Sequence, residues 1–223
     1  MYLNNKVMIG YDAREDAAYK ACVNSLHKNS SCTVDITPLK QDKLIQQQIY
    51  KRLPDPLSST EFTFTRFLIP FLCEYKGWAV FCDCDFIFID DIQSLFKLKD
   101  EKYAIMCCKH EYTPTATHKM DNCKQHLYPR KNWSSLILWN CSHPKNKLVT
   151  PELVNTQTGQ YLHRFTWLDD SEIGSLPLEW NWLVGWYKEP RDGKPKALHF
   201  TEGGPWFDNY KDCEYSDVYN LYK

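Results

Sequence analysis

The sequence contains no apolar run near the ~20 residues needed to span a bilayer, and its opening Asn4-Asn5-Lys6 lacks the apolar core of a secretory leader. These absences set the expectation of a cytoplasmic chain without a transmembrane segment. No run of Lys or Arg exceeds two residues and the formal net charge is −1, so the electrostatic footprint of a nucleic-acid binder or a polybasic membrane anchor is missing. An anionic ligand would have to be held by local groups or a metal. Among ten cysteines there is no C-x-x-C pair, and Cys73, Cys82, Cys107 and Cys108 lie inside apolar runs. They read as reduced core thiols, with neither disulfides nor a zinc site expected. Internal repeats, low-complexity tracts and convincing linkers are also lacking.

What is present is a globular composition, with 43% hydrophobic, 15% aromatic and 25% charged residues. A length of 223 residues suits one large domain, read as spanning 1–223, with a nucleotide-binding half over about 1–100 and a sugar and acceptor half over about 101–223. Val7 to Gly10 reads as a strand, Ala17, Ala18, Ala21, Cys22 and Leu26 recur at helical spacing, and Thr33 to Leu39 reads as a second strand. This strand-helix-strand opening belongs to parallel α/β sheets, whose ligand sites gather at the carboxyl ends of strands. Tyr11, Asp12 and Arg14 fall there.

Phe64, Phe67, Leu68, Phe71, Leu72 and Tyr75 share a helical stripe that Pro70 should kink or divide and Gly77 should end. Trp78 to Cys82 is a continuous apolar strand, expected to be buried on both faces. Further strands are expected at Tyr103 to Cys108, Leu136 to Trp139 and Ala197 to Phe200, with helical segments opening at Thr150-Pro151-Glu152 and near Asp169.

The apolar strand runs straight into Asp83-Cys84-Asp85. Two carboxylates at i and i+2 in a buried setting raise each other's pKa and lose hydration. A divalent cation removes that conflict, and hard cations such as Mn2+ or Mg2+ take one or two carboxylates together with substrate phosphates. Asp83 and Asp85 therefore read as metal ligands. Downstream, Gly203-Gly204 offers backbone without Cβ atoms that is able to approach a diphosphate, or makes an ordinary turn before Pro205.

In this order the motifs resemble retaining glycosyltransferases of the GT-A fold, especially the glycogenin and bacterial lipopolysaccharide galactosyltransferase group, with small bacterial glycosyltransferases and a chlorella-virus glycosyltransferase domain as further likenesses. The resemblance covers most of the chain. It implies a Rossmann-like α/β domain with a mixed, mostly parallel sheet flanked by helices. It further implies transfer of a sugar from a nucleotide sugar, a UDP-sugar, to a glycan or other acceptor with retention of anomeric configuration. Gly10, Tyr11, Asp12 and Arg14 would contact the nucleoside, Arg66 would reach the donor from its helix, and His199 would be a third metal ligand. Cys84, Gly203 and Gly204 complete the donor-binding set. Asn132-Trp133-Ser134-Ser135 is similar to the segment beside the donor sugar, which makes Ser134 and Ser135 sugar-binding candidates. Leu168-Asp169-Asp170 is similar to the segment near the anomeric carbon, which makes Asp169 and Asp170 the catalytic candidates. Trp206, with Trp180, Trp182 and Trp186, is a candidate acceptor wall. The sequence departs from the family where a lysine usually precedes Pro205-Trp206; here Gly204 stands in that place.

Two other readings remain open at this stage. A phosphohydrolase would use Asp83 as nucleophile and Asp85 as acid, although such enzymes carry the motif on their first strand. A non-catalytic carbohydrate- or nucleotide-binding module would draw on the eight Trp and fourteen Tyr residues. The sequence says nothing of oligomeric state.

Overall fold

A computed structural model describes residues 5–56, 58–111, 130–189 and 193–223. Strand β1 (Asn5–Gly10) is followed by helix α1 (Asp16–Asn29) and strand β2 (Val34–Leu39). Both neighbours of β1 run parallel to it, β2 on one side and β3 (Trp78–Cys82) on the other. The expected parallel α/β opening is thus present. The remaining strands of this sheet are β5 (Ile105–Cys107), β6 (Leu136–Asn140) and β7 (Ile173–Ser175). The sheet has the order β2-β1-β3-β6-β5-β7, and β6 is the strand that runs antiparallel to its neighbours β3 and β5. It is mixed and mostly parallel.

A second, three-stranded sheet of order β4-β9-β8 forms from very short elements: β4 (Phe86–Phe88), β8 (Trp182–Leu183) and β9 (Ala197–His199). β3 and β4 are separated by three residues, Asp83, Cys84 and Asp85, so the acidic turn is the bridge between the two sheets. Its backbone is fastened on each side: the Asp83 N–H donates to Ser135 C=O at 2.9 Å, and the Asp85 C=O accepts the Phe200 N–H at 3.0 Å. β3 is paired on both sides, and Ala79 to Cys82 are fully buried, as a continuous apolar run requires.

The helical layer differs from the expectation over 64–75. Thr65–Leu68 forms a 3-10 turn and α3 (Ile69–Leu72) follows, with Pro70 in its first turn, where its missing N–H costs nothing. The helix stops five residues before Gly77, because Glu74 and Tyr75 both take positive φ, and the Tyr75 N–H turns back to Pro70 C=O at 2.7 Å. The other helices are short: α2 (Gln41–Gln46), α4 (Ile92–Phe96), α5 (Pro151–Thr156), α6 (Gly159–His163) and α7 (Ser216–Asn220). Thr150 caps α5 by accepting the Leu153 N–H, as its Thr-Pro start predicts. Among the described residues no helix is long and apolar enough to cross a membrane.

A buried cluster running from Val7 to Ala197 packs around the six-stranded sheet, and a smaller one, including Ile87, Trp182, Leu198 and Phe200, packs around the three-stranded sheet. The nine described cysteines carry free thiols, six of them buried. Trp180 and Trp182 are fully buried, so they pack the core and cannot form an acceptor wall. Trp186 and Trp206 remain partly exposed.

Candidate active site

β1 and β3 lie side by side with Ile9 opposite Cys82. Their carboxyl ends therefore bring Gly10, Tyr11 and Asp12 next to Asp83. From the small sheet, β9 ends in His199, which sits opposite Phe86 in register and stacks on its ring at 4.4 Å. Asp83, Asp85 and His199 thus meet where the two sheets join, with one potential ligand atom from each lying within 4.8 Å of the others. His199 Nε2 is 3.4 Å from Asp85 Oδ2, and Asp85 Oδ1 is buried without a hydrogen-bond partner among the described residues.

A chain of hydrogen bonds fixes how His199 faces this centre. The Ser135 hydroxyl donates to Asn132 C=O at 2.7 Å, so its oxygen is left to accept from Asn181 Nδ2 at 2.9 Å. That sets the amide with Oδ1 toward His199 Nδ1, 2.8 Å away. Nδ1 must carry a proton, and Nε2 is the nitrogen that faces Asp85. A cation between them would take the imidazole and the carboxylates together. The donor set of two carboxylates and one imidazole suits Mn2+ or Mg2+. Asn181 is fully buried and was missed by sequence reasoning. The signal was a lone amide between Trp180 and Trp182 in an apolar stretch.

Arg66 is 6% exposed. Its Nη1 stands 2.8 Å from Asp83 Oδ1 and donates to Ser134 C=O at 2.8 Å, while Nε donates to Phe62 C=O at 3.2 Å. Its contacts tie the acidic turn to the Ser134 segment and neutralise part of the charge on Asp83.

Asp12 is completely buried, with its oxygens taken by this chain. It accepts the Arg14 backbone N–H at 2.9 Å, Arg14 Nε at 3.0 Å and Nη2 at 2.7 Å, and the Glu61 N–H at 3.2 Å. Burial alone would raise this carboxyl. The Arg14 side chain and the two backbone donors outweigh burial and hold it below the usual carboxylate range. Arg14 also donates to Ser59 C=O. The pair clamps the loop before Phe62 onto the end of β1. Tyr11 lies between Lys40, whose ammonium is 4.1 Å from the ring centre, and Tyr19, an edge-on neighbour at 5.2 Å.

Glu15 is a second residue that sequence reasoning missed, although it lies only three positions past Asp12. Its carboxyl is pushed up to about 8, first by burial and then by the charges of Asp85, Asp12 and Asp83. Asp83 and Asp85 are therefore part of a larger acidic basin that a doubly charged ion would relieve. Burial drives the Cys84 thiol well above its ordinary range, so Cys84 offers the site its backbone alone.

The glycines have packing duties. A Cβ on Gly10 would stand 2.5 Å from the Phe62 ring, and one on Gly204 would stand 2.1 Å from the Trp206 indole. Gly203 has φ of +122°, a conformation that residues with a Cβ adopt only under strain. Ser134 bonds His163 through its hydroxyl at 2.7 Å. Asp169 and Asp170 are exposed at the start of a 3-10 turn, where the Glu172 carboxylate accepts the Asp169 N–H at 2.9 Å. Asp170 pairs with Arg130, and Asp169 lies 3.8 Å from Lys145. The structure thus brings Asp83, Asp85, His199, Arg66 and Ser135 into one network, while Asp169 and Asp170 make their contacts with basic residues on the surface.

No family model matches the chain. Protein CDI of Arabidopsis thaliana is 55% identical to it over 218 residues, which is 96% of this chain and 84% of that protein. The chain belongs to the Protein CDI family. Among solved structures, this CDI-family chain superposes on the bifunctional glycosyltransferase WbbM with a TM-score of 0.62 at 17% identity, covering 98% of this chain and 49% of that one. Its match to the glycosyltransferase GlyE of Streptococcus pneumoniae has a TM-score of 0.63 at 16% identity, over 98% of this chain and 60% of GlyE. The galactosyltransferase LgtC, solved with donor and acceptor sugar analogs, gives a TM-score of 0.60 at 10% identity over 97% and 94% of the two chains. The chain spans about half of WbbM and 60% of GlyE. These likenesses establish the GT-A fold expected from the motifs.

Proposed function

We propose that this CDI-family chain is a divalent-metal-dependent glycosyltransferase, built as one domain over 1–223, that moves a sugar from a UDP-sugar to a glycan acceptor with retention of anomeric configuration. The observation that carries the reading is the meeting of Asp83, Asp85 and His199 within 4.8 Å at the junction of the two sheets, with Nε2 of the imidazole facing a carboxylate. Asp83, Asp85 and His199 would hold Mn2+ or Mg2+. Bound there, the ion supplies Lewis-acid stabilisation for the departing nucleoside diphosphate.

The chain's own groups divide the remaining work. Arg66 steadies Asp83, and Asn181 holds the His199 ring in its ligating tautomer. The backbone of Cys84, Gly203 and Gly204 lines the diphosphate side, while Gly10, Tyr11 and Arg14 border the nucleoside. Asp12 positions Arg14. Ser134 and Ser135 shape the sugar pocket from behind, Trp206 borders the acceptor, and Asp169 and Asp170 would act near the anomeric carbon.

The test is donor hydrolysis or transfer by Asp83→Ala and Asp85→Ala with Mn2+ present. Loss of about 4 kcal/mol of transition-state stabilisation corresponds to roughly 10³-fold slower turnover. Rates near those of the unaltered protein in either variant would end the metal assignment. The configuration of the product by NMR decides retention, and an inverted product would overturn that part.

A further inference from the structure

Three residues past β5, the chain buries a histidine to which the proposed mechanism assigns no role. His110 is 5% exposed. Its Nδ1 is 2.6 Å from the Tyr187 hydroxyl, and the two rings stack with centroids 5.9 Å apart. Its carbonyl accepts the Trp133 indole N–H at 3.3 Å, which ties it to the turn carrying Ser134 and Ser135. Tyr187 is itself braced edge-on by Trp182 at 5.3 Å.

Nε2 of His110 is buried and has no hydrogen-bond partner among the described residues. Leaving such an atom unpaired is costly, and native structures retain few of them. Burial pushes the ring down to about 3, and the nearby His199 opposes its protonation further. The ring is therefore neutral near pH 7, and its carbonyl's bond to Trp133 sets it beside the turn that carries Ser134 and Ser135. A neutral imidazole exerts no charge on a phosphate, and the metal ligands are already supplied by Asp83, Asp85 and His199. What it offers is one directed hydrogen bond from Nε2. A sugar hydroxyl both donates and accepts, so it fits either tautomer.

We infer that His110, held in place by Tyr187, is a specificity residue whose Nε2 hydrogen-bonds a hydroxyl of the sugar ring carried on the donor's diphosphate. This rests on the glycosyltransferase reading above. The position follows from the neighbourhood: His110 holds Trp133 of the turn whose Ser135 joins the Asn181–His199 chain, the turn read above as the sugar side, and the sugar is the next group along the donor from the cation site. A pocket built to pair a hydroxyl rejects the analogue that lacks it far more strongly than an apolar pocket rejects a methylene.

The experiment compares UDP with a panel of UDP-sugars by calorimetry in Mn2+, using the unaltered protein, His110→Asn and Tyr187→Phe. Asparagine keeps a polar atom near the place of Nδ1 and deletes Nε2. UDP affinity should hold within about twofold in all three proteins, while the Kd of the preferred UDP-sugar rises about tenfold in His110→Asn, equivalent to ~1.4 kcal/mol. A donor lacking the contacted hydroxyl should bind the unaltered protein and His110→Asn alike. Tyr187→Phe should shift the ratio of UDP-sugar to UDP Kd in the same direction, and it carries the test alone if His110→Asn does not fold. An unchanged ratio, or equal weakening of UDP and UDP-sugar, overturns the assignment while leaving the glycosyltransferase reading intact. Failure of the unaltered protein to bind UDP or any UDP-sugar in Mn2+ overturns both.

Discussion

Asn181 Oδ1 lies 2.8 Å from His199 Nδ1 while the same amide donates to Ser135 Oγ at 2.9 Å, so one buried side chain decides which nitrogen of the histidine faces the acidic pair. Groups that orient a metal-ligating histidine typically contribute 10–100-fold to metal affinity. Asn181→Ala should weaken Mn2+ binding by roughly that factor, measured by titration against the free-ion EPR signal. Asn181→Asp, which keeps an acceptor for Nδ1, should recover part of the loss. Equal Mn2+ affinity in Asn181→Ala and the unaltered protein would remove the positioning role.

The raised carboxyl of Glu15 gives a signed dependence on pH. Its ordinary value is 4.5 and its folded value about 8. Between these, the folded chain keeps a proton that the unfolded chain has lost, so this group's contribution to stability falls as pH rises through that window. Each unit corresponds to ~1.4 kcal/mol. Glu15→Gln should flatten the decline, so that its melting temperature exceeds that of the unaltered protein at pH 8 and approaches it near pH 4.5. Parallel curves across the window would show that Glu15 is not held in this state.

At Gly10 a methyl group would enter the Phe62 ring. Gly10→Ala is expected to cost ~1–3 kcal/mol through overpacking, read as a lowered denaturation midpoint. Phe62→Leu in the same chain should relieve much of it, giving a favourable coupling in the double-mutant cycle. An unchanged midpoint in Gly10→Ala, with weakened UDP binding, would transfer this glycine's purpose from packing to ligand approach.

The legible parts of this molecule were those with long, one-sided signals. Trp78 to Cys82 is an apolar run that ends abruptly in acids, so the strand and the acidic pair at its end were both readable. The α/β opening was readable for the same reason, since α1 has enough residues for its periodicity to register. The small sheet was readable only at β9, expected over Ala197 to Phe200, because β4 and β8 have three and two residues, shorter than any alternation that reveals a strand. His199 was thus visible as a strand end but not as the neighbour of Phe86. The phenylalanines from 64 to 71 do have helical spacing, yet Glu74 and Tyr75 adopt a left-handed backbone that no propensity scale assigns to them. Asn181 and His110 were hidden for another reason: their importance lies in which atoms they face, and a single polar residue in an aromatic stretch carries no period.

The acidic bridge is fastened by the main chain at Asp83 N–H and Asp85 C=O, groups that every residue except proline at 83 also possesses. Side-chain replacements at these two positions therefore leave the scaffold's clasps in place. A saturation library at 83 and 85, screened against a series of divalent ions, would sample coordination preference on a constant frame, which makes this junction a natural place to tune the proposed metal preference.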